Sequence, residues 1–280
     1  MQIGITGATG QLGKLVVEQL KGKVSAENIV ALVRTPEKAK VPGVETRPFD
    51  YNNADELPKQ LIGIDKLLLI SANEIGQRER QHKNVIQAAK KAGVKWIVYT
   101  SLLHADTTTI NLAGEHLATE KELKESGIDY TILRNGWYTE NYTASIGGAI
   151  AGGAFKGSAG AGKISSAARI DYAEAAAVVL SGDNFKGKVF ELAGDIAYTL
   201  DDLAAEISKQ TGKDLPYRNL PQEEYAKILE SFNIPKSFAQ AIAGWDISAS
   251  KGDLFDDSGE LSKLIGRPTT SLAASVKLAL

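Results

Sequence analysis

Three glycines near the amino terminus constrain the fold of this chain more than any other feature. They follow the apolar run 3–6 at the spacing Gly7-x-x-Gly10-x-x-Gly13 and precede a stretch with apolar residues at helical spacing. Between a strand and a helix, the first glycine allows a tight turn, the second lets the backbone approach a pyrophosphate and the third allows close helix–strand packing. The pattern predicts a dinucleotide site, and the alternative is a glycine turn that serves packing alone.

Short β-forming runs alternate with helical stretches as far as residue 136. This alternation predicts an α/β fold, a Rossmann-type doubly wound parallel sheet. After Gly136 the pattern changes, and we expect a smaller C-terminal α/β lobe. The predicted division is a nucleotide-binding lobe at 1–136 and a mainly substrate-side lobe at 137–280. Predicted strands are 3–6, 29–33, 44–49, 66–70, 96–100, 130–133 and 189–192; predicted helices are 11–21, 36–40, 55–62, 78–92, 114–126, 171–180, 200–211 and 222–232.

Two features of the second half carry more specific expectations. The Gly- and Ala-rich stretch 147–162 predicts a mobile loop around a short helix. The spacing of Asp171 and Glu174 predicts a capping box that opens the helix at 171–180.

The composition excludes several classes of function. The 280 residues include no Cys, which rules out disulfides, thiolate nucleophiles and Cys-ligated metals, and the 3 His argue against a metal site. A net charge of −2 without basic blocks argues against a nucleic-acid partner. No apolar run approaches the roughly 20 residues of a membrane span, and a strand starting at Ile3 leaves no room for a signal peptide. We expect a cytoplasmic protein, and the sequence leaves a homo-oligomer open.

The ends of the predicted strands carry the candidate cofactor residues. Where NAD-binding folds place Asp or Glu after the second strand, this chain has Arg34, followed by Lys38, which favours the 2′-phosphate of NADPH. The alternative for Arg34 is a solvated surface residue. Asp50 after the third strand is either a contact to the adenine edge or a turn carboxylate. Ser71 and Asn73 follow the fourth strand at the cofactor edge, with helix capping as their alternative.

The predicted reaction site lacks one expected group. Short-chain dehydrogenases use a Ser after the fifth strand and a Tyr-x-x-x-Lys helix whose Tyr acts as the acid. Ser101 and Lys121 are present here, but Leu117 stands at the Tyr position. Such a site fits an acceptor that delocalises the charge it gains, such as a quinone, or no catalysis at all. Lys121 is a candidate to stabilise negative charge or hold a ribose hydroxyl, and its alternative is an exposed helix lysine.

An aromatic segment leaves the sixth predicted strand at the same edge. Trp137 and Tyr138 are candidates to stack a flat substrate. Asn135 and Asn141 offer neutral donors, Asn141 on the substrate side and Asn135 as a third candidate catalytic residue beside Ser101 and Lys121. The alternative is an aromatic hinge that packs the two lobes together.

The chain resembles the NmrA-like branch of the atypical short-chain dehydrogenases. The resemblance covers the whole length and rests on quoted stretches such as TGATGQLG at 6–13, LLIS at 68–71, QHKNVI at 81–86, YTSLLHAD at 99–106, LRNGWY at 133–138 and LAGD at 192–195. It implies direct two-electron hydride transfer from NADPH to a quinone in the cleft between two lobes, without flavin or metal. The alternatives in the family are reduction of triphenylmethane dyes and non-enzymatic NADP(H) sensing.

The resemblance also implies roles for individual residues. Gly7, Thr9, Gly10, Gln11 and Leu12 would hold the pyrophosphate and Arg34 the 2′-phosphate. The segment 135–141 would line the substrate side, and the segment 167–194 would return to the Rossmann lobe.

Overall fold

A seven-stranded, wholly parallel sheet runs through the centre of the molecule in the computed structural model, which describes residues 1–39 and 41–280 except for the Lys38 side chain. Its central strands are continuous buried apolar runs, as expected for strands covered on both faces. The strand order is β3-β2-β1-β4-β5-β6-β8, so the direction of winding reverses between β1 and β4. The strands are β1 Ile3–Thr6, β2 Ile29–Val33, β3 Glu45–Pro48, β4 Lys66–Leu69, β5 Trp96–Leu102, β6 Asp129–Asn135 and β8 Val189–Leu192.

Helices cover both faces of this sheet, which confirms the predicted doubly wound α/β architecture. Helices α1 and α7 pack together on one face, and α3 and α4 pack together on the other. Helix α3 spans the predicted residues and ends at Gly93, whose left-handed backbone closes it. The helices that pack around this sheet are α1 Gln11–Lys21, α2 Leu57–Gln60, α3 Arg78–Ala92, α4 Ala113–Ser126, α7 Arg169–Ser181 and α11 Glu260–Ile265.

The second half builds its own apolar core beside the carboxyl ends of the main strands. A two-stranded parallel sheet of β7 and β9 lies against α8 in this core, while α9 and α10 pack on each other. The elements are β7 Phe155–Gly157, β9 Tyr217–Asn219, α5 Glu140–Thr143, α6 Ile146–Gly152, α8 Leu200–Thr211, α9 Gln222–Ser231, α10 Lys236–Ser250 and α12 Leu272–Ala279.

The segment 167–194 contributes to the main sheet rather than to the second core. Its helix α7 packs on α1, and its strand β8 pairs in parallel with β6. Among the described residues, no helix is long and apolar enough to cross a membrane, and no group of three His, Cys, Asp or Glu side chains could hold a metal ion.

Three local predictions differ from the structure. The stretch 147–162 is more ordered than a loop, because β7 within it pairs with β9. The short helix predicted at 36–40 is a 3-10 turn at Pro36–Lys38, and Lys40 lies outside the described residues. Helix α2 covers only the middle of the predicted 55–62.

The predicted capping box at Asp171 is wrong. Helix α7 begins two residues earlier at Arg169, whose backbone N–H donates to both oxygens of Glu140 at 2.9 and 3.0 Å. Asp171 is fully buried and instead holds the chain beyond α11. It accepts hydrogen bonds from Arg267 at 2.7 Å and from the backbone and hydroxyl of Thr270 at 2.8 and 2.9 Å. A distant partner, invisible in local spacing, decides the role of this carboxylate.

We expect Asp171→Ala to lower the free energy of unfolding by about 3 kcal/mol, because several hydrogen bonds to a buried charge are lost together. Equilibrium urea unfolding followed by circular dichroism measures this. The control is Glu125→Ala, which removes only an exposed carboxylate 3.9 Å from Lys121 and should change stability by less than about 0.5 kcal/mol. Equal effects of the two substitutions would contradict the anchoring role.

Candidate functional site

The glycine loop between β1 and α1 has the geometry of a phosphate cradle. Gly7 has a left-handed φ of 57°, and its carbonyl accepts a hydrogen bond from the Gly10 N–H at 2.8 Å. A Cβ on Gly13 would lie 2.2 Å from the same carbonyl oxygen, so only glycine allows α1 to pack this closely on the turn. The turn and the close packing aim the start of α1 at the sheet edge.

The start of α1 carries unpaired backbone donors. Gly10 occupies the N-cap position without a capping side chain, so the amide groups of the first helical turn have no intrahelical partner. These donors and the positive end of the helix dipole fit a pyrophosphate. Thr9 and Gln11 are exposed beside them, whereas the Leu12 side chain is buried in the core and only its backbone faces the loop.

A half-buried tyrosine closes the sheet edge at the point where the winding reverses. The Ile70 N–H donates to Thr6 Oγ1 at 2.9 Å, and the Tyr51 hydroxyl, beside the same Thr6 oxygen, donates to the Ile70 carbonyl at 2.8 Å. Burial raises the pKa of the Tyr51 hydroxyl, which therefore keeps its proton. Sequence reasoning missed Tyr51, since only the sheet order brings the ends of β1, β3 and β4 together.

Buried side chains hold the loop after β4 in place through hydrogen bonds to its backbone. The Ser71 N–H donates to Thr100 Oγ1 at 2.9 Å, and the Ala72 N–H donates to His82 Nε2 at 2.9 Å. Arg78 Nε donates to the Ala72 carbonyl. Neither Ser71 nor Asn73 caps α3, whose N-cap is Gln77, and the exposed Asn73 faces solvent at this edge. The helix-cap alternative for these two residues is therefore excluded.

The protonation state of His82 follows from its partners. Thr119 Oγ1 donates to the Glu115 carbonyl at 2.9 Å, so the same oxygen accepts from His82 Nδ1, which lies 2.9 Å away. Nε2 is then the acceptor that the Ala72 N–H requires, and the ring is neutral. Burial accordingly lowers the pKa of His82 to about 3.

Arg34 lies at the end of β2 with an exposed guanidinium. Its Nη1 is 3.4 Å from Glu74 Oε1, and Glu74 also accepts from Gln81 at 2.9 Å. Asp50 is exposed, and its carboxylate accepts a hydrogen bond from the Asn52 N–H at 2.9 Å. This is the contact expected of a turn carboxylate, the alternative to a contact with the adenine edge. The Lys38 side chain lies outside the described residues.

Ser101 does not stand free at the end of β5. Its hydroxyl donates to Glu120 Oε1 at 2.7 Å, and the same carboxylate receives two bonds from Arg134, each of 2.9 Å. All three side chains are buried. The hydroxyl is committed to a structural ion pair, so the predicted catalytic role of Ser101 is not supported.

Lys121 lies on the solvent face of α4. Its side chain is 74% exposed, and its Nζ is 3.9 Å from Glu125 one turn later. The inward face of the same helix is formed by other residues, among them His116 and Glu120. The exposed-lysine alternative therefore describes Lys121, and the predicted catalytic role is not supported.

The aromatic segment after β6 bridges the two halves. Tyr138 packs edge to face on Tyr172 with ring centroids 5.2 Å apart, and the Arg169 guanidinium lies 4.7 Å from its ring. Asn141 is exposed on α5. Asn135 is buried at the strand end, and its Oδ1 has no hydrogen-bond partner among the described residues. An unpaired buried acceptor at this edge is suited to a ligand N–H.

Trp137 begins a short series of aromatic rings. It packs edge to face on Trp245 of α10 with centroids 5.5 Å apart, and Trp245 packs likewise on Phe238 at 5.9 Å. Phe238 is 44% exposed, so the series leads from the end of β6 to the surface. Sequence reasoning found Trp137 but missed Trp245, which is far away along the chain.

This fold and phosphate cradle define a nucleotide-binding α/β protein, and comparison with known proteins agrees. A family model described as NAD(P)H-binding matches residues 7–182. Quinone oxidoreductase 2 of Escherichia coli (strain K12) is 57% identical, with 98% of this chain and 97% of the relative covered. The chain belongs to this NAD(P)H-binding, NmrA-like family.

Two solved structures extend the likeness to the whole fold. The NADPH complex of the NADPH-dependent quinone oxidoreductase from Escherichia coli is 56% identical, with 99% of each chain covered and a TM-score of 0.96. The NADP(H) complex of a triphenylmethane reductase from Citrobacter sp. is 38% identical, with 100% of each chain covered and a TM-score of 0.97.

We expect Arg34→Ala to raise the dissociation constant for NADPH at least tenfold and that for NADH by less than about twofold. The reason is that charge-assisted bonds to the 2′-phosphate, worth about 1.5–3 kcal/mol, are lost. Fluorescence titration with each nucleotide measures both constants. Glu74→Gln should act in the opposite direction on NADPH, because it removes a competing anion from Arg34. A similar loss of affinity for both nucleotides in Arg34→Ala would contradict the assignment.

We expect the free energy of unfolding to fall as the pH drops below about 6.5. Burial lowers the pKa of both His82 and His116 to about 3. Between about pH 6.5 and 3 the unfolded state therefore binds more protons than the folded state. Each histidine then contributes up to about 1.4 kcal/mol per pH unit. Urea unfolding from pH 7 to 4.5 should show a shallower slope for His82→Gln than for the unsubstituted protein, and identical slopes would contradict the neutral buried ring.

Proposed function

We propose that the protein is a flavin-free quinone reductase that passes two electrons from NADPH to a quinone in one hydride step. The observation that carries this proposal is the 57% identity, across nearly the whole of both chains, to Quinone oxidoreductase 2 of Escherichia coli. The balanced reaction consumes NADPH, quinone and one proton, and yields NADP⁺ and hydroquinone. When bound, NADPH supplies the hydride.

The side chains at the sheet edge support an acceptor that needs little acid assistance. Leu117 stands where the usual Tyr acid would be, Ser101 is committed to Glu120, and Lys121 faces solvent. Reduction of an ordinary ketone forms a basic alkoxide and benefits from an acid by about 10²–10⁴-fold. A quinone gives a delocalised phenolate-type anion, which water can protonate.

The remaining residues bind and orient the reactants in this proposal. The amide groups of 11–13, with Gly7, Gly10 and Thr9 beside them, hold the pyrophosphate, and Arg34 holds the 2′-phosphate. Ser71 and Asn73 line the nucleotide along the fixed loop after β4. The unpaired Asn135 Oδ1 would accept a hydrogen bond from the bound nucleotide, so we propose Asn135 as an orienting group.

Trp137, Tyr138 and Asn141 form the acceptor side of the proposed site. Trp137 and Tyr138 offer flat apolar surface, and the exposed Asn141 offers a neutral donor. The packing of both rings on other aromatic residues keeps that surface in one orientation. A cytoplasmic location and a homo-oligomer remain predictions.

A second candidate function is the reduction of triphenylmethane dyes. The 38% identity to the Citrobacter sp. triphenylmethane reductase over the full chain favours it. Such dyes are also electron-poor aromatic acceptors that delocalise charge, so the same arrangement would serve them. Initial rates with a quinone and a dye, alone and in competition, rank the two functions.

The proposed function is tested by loss of NADPH absorbance on adding a simple 1,4-benzoquinone to flavin-free protein. One hydroquinone per NADPH is expected, with the C4 hydrogen of the nicotinamide lost in the step. Tight NADPH binding without turnover of quinone or dye would overturn the proposal and favour a nucleotide sensor.

We expect Trp137→Ala to raise the KM for quinone about tenfold while changing the dissociation constant for NADPH by less than about twofold, because stacking surface is lost only on the acceptor side. Steady-state kinetics and nucleotide titration separate the two effects. If the variant loses its fold by circular dichroism, Trp137→Phe replaces it, since a smaller ring keeps the packing. Unchanged quinone kinetics in a folded variant would show that Trp137 serves packing alone.

A further inference from the structure

A cavity of about 350 Å³ lies between α9, α10 and the loop that precedes α4. Its wall includes the side chains of Asn111, Gln222, Gln240 and Trp245. No charged side chain among the described residues lines it, and its polar groups are amides and hydroxyls. The volume suits a single small ring compound, since ligand pockets typically span about 300–1,000 Å³.

The cavity adjoins the aromatic series that starts at the sheet edge. Trp245 forms part of the cavity wall and also packs on Trp137, with ring centroids 5.5 Å apart. Trp137 follows β6 by two residues, beside the unpaired Asn135. Trp245 therefore links the cavity wall to Trp137 at the end of β6, on the acceptor side of the proposed site, although no sequence motif marks the cavity.

The orientation of the Asn111 amide is determined by Trp245. An indole nitrogen can only donate, and Trp245 Nε1 lies 2.9 Å from Asn111 Oδ1, which accepts. The Asn111 NH₂ group therefore points away from the indole and keeps both of its donors.

We propose that this cavity binds the acceptor of the reaction, and that the Asn111 amide donates a hydrogen bond to a carbonyl oxygen of a neutral quinone. This inference rests on the proposed function. A quinone has flat faces for Trp245 and oxygen atoms that only accept, which match an uncharged wall with free N–H groups. The donor gains strength as negative charge develops on that oxygen during reduction. Asn111 is thus a specificity-determining residue.

The test compares two substitutions that make the same change of charge. Asn111→Asp keeps the acceptor for Trp245 but replaces the donor with a negative charge. Asn219→Asp is the matched control, because Asn219 lies on β9 outside the cavity and its Oδ1 likewise accepts hydrogen bonds, from the Gly160 N–H at 2.9 Å and the Tyr217 hydroxyl at 3.1 Å. We expect Asn111→Asp to lower kcat/KM for 1,4-benzoquinone about tenfold. For a cationic triphenylmethane dye, kcat/KM should stay equal or rise, and the control should leave both values within twofold.

A second variant tests how the amide is oriented. Trp245→Phe keeps an aromatic ring but removes the indole donor, so the Asn111 side-chain amide can rotate and exchange the positions of its oxygen and NH₂ group. We expect the KM for quinone to rise about threefold without a change in the dissociation constant for NADPH. An unchanged KM for quinone in this variant would contradict the orienting role of Trp245.

Binding without turnover separates this inference from the proposed function. Tetramethyl-1,4-benzoquinone, whose ring carbons are fully substituted, is titrated calorimetrically into the NADP⁺ complex. Weaker binding by Asn111→Asp than by Asn219→Asp supports the cavity, even if the protein turns over no quinone. Equal binding and equal kinetics in the two variants would overturn the cavity assignment while leaving the quinone reductase proposal intact.

Discussion

The approach of α1 to the turn after β1 is the constraint on which the rest of the site depends. Gly13 leaves no space for a Cβ against the Gly7 carbonyl, so the helix starts directly at the sheet edge. Because Gly10 offers no capping side chain, the first amide groups of the helix remain available to a ligand. In the proposed function the nucleotide completes the helix start, and its phosphates fix where the reactive ring lies along the edge.

Buried and half-buried polar groups fix the positions of the other strand ends beside the start of α1. Tyr51 joins the ends of β1 and β4, and the neutral ring of His82 supports the loop that follows β4. On the far side, Arg134 bonds to Glu120 from α4 and to Glu191 from β8. A buried ion pair is weak evidence for added stability, but it fixes geometry because each partner has few alternatives. Because Ser101 donates its hydroxyl proton to the same Glu120 carboxylate, the hydroxyl is not free to donate to a substrate.

The local sequence pattern was sufficient for most of the sheet and for the cofactor. The Gly7–Gly13 loop, helix α3 and the strand runs are recognisable because period and punctuation are local properties of the chain. The prediction failed where partners are distant in sequence. Asp171 has the spacing of a capping residue, yet Arg267 and Thr270 bind it from the far end of the chain. Lys121 and Ser101 match a motif by position, but helix rotation and the partner Glu120 decide their surroundings.

The sequence by itself determined that this chain forms a doubly wound sheet with a phosphate-binding turn, and that no Tyr acid stands in the usual place. Only the tertiary structure decided which polar groups at the sheet edge remain free. It brings Trp245 against Trp137 and turns the Asn111 oxygen toward the indole, across more than a hundred residues of chain. The hydrogen-bond partner of a polar group depends on which side chains pack against it. That packing brings together residues that are distant in the sequence, so residue spacing does not reveal it.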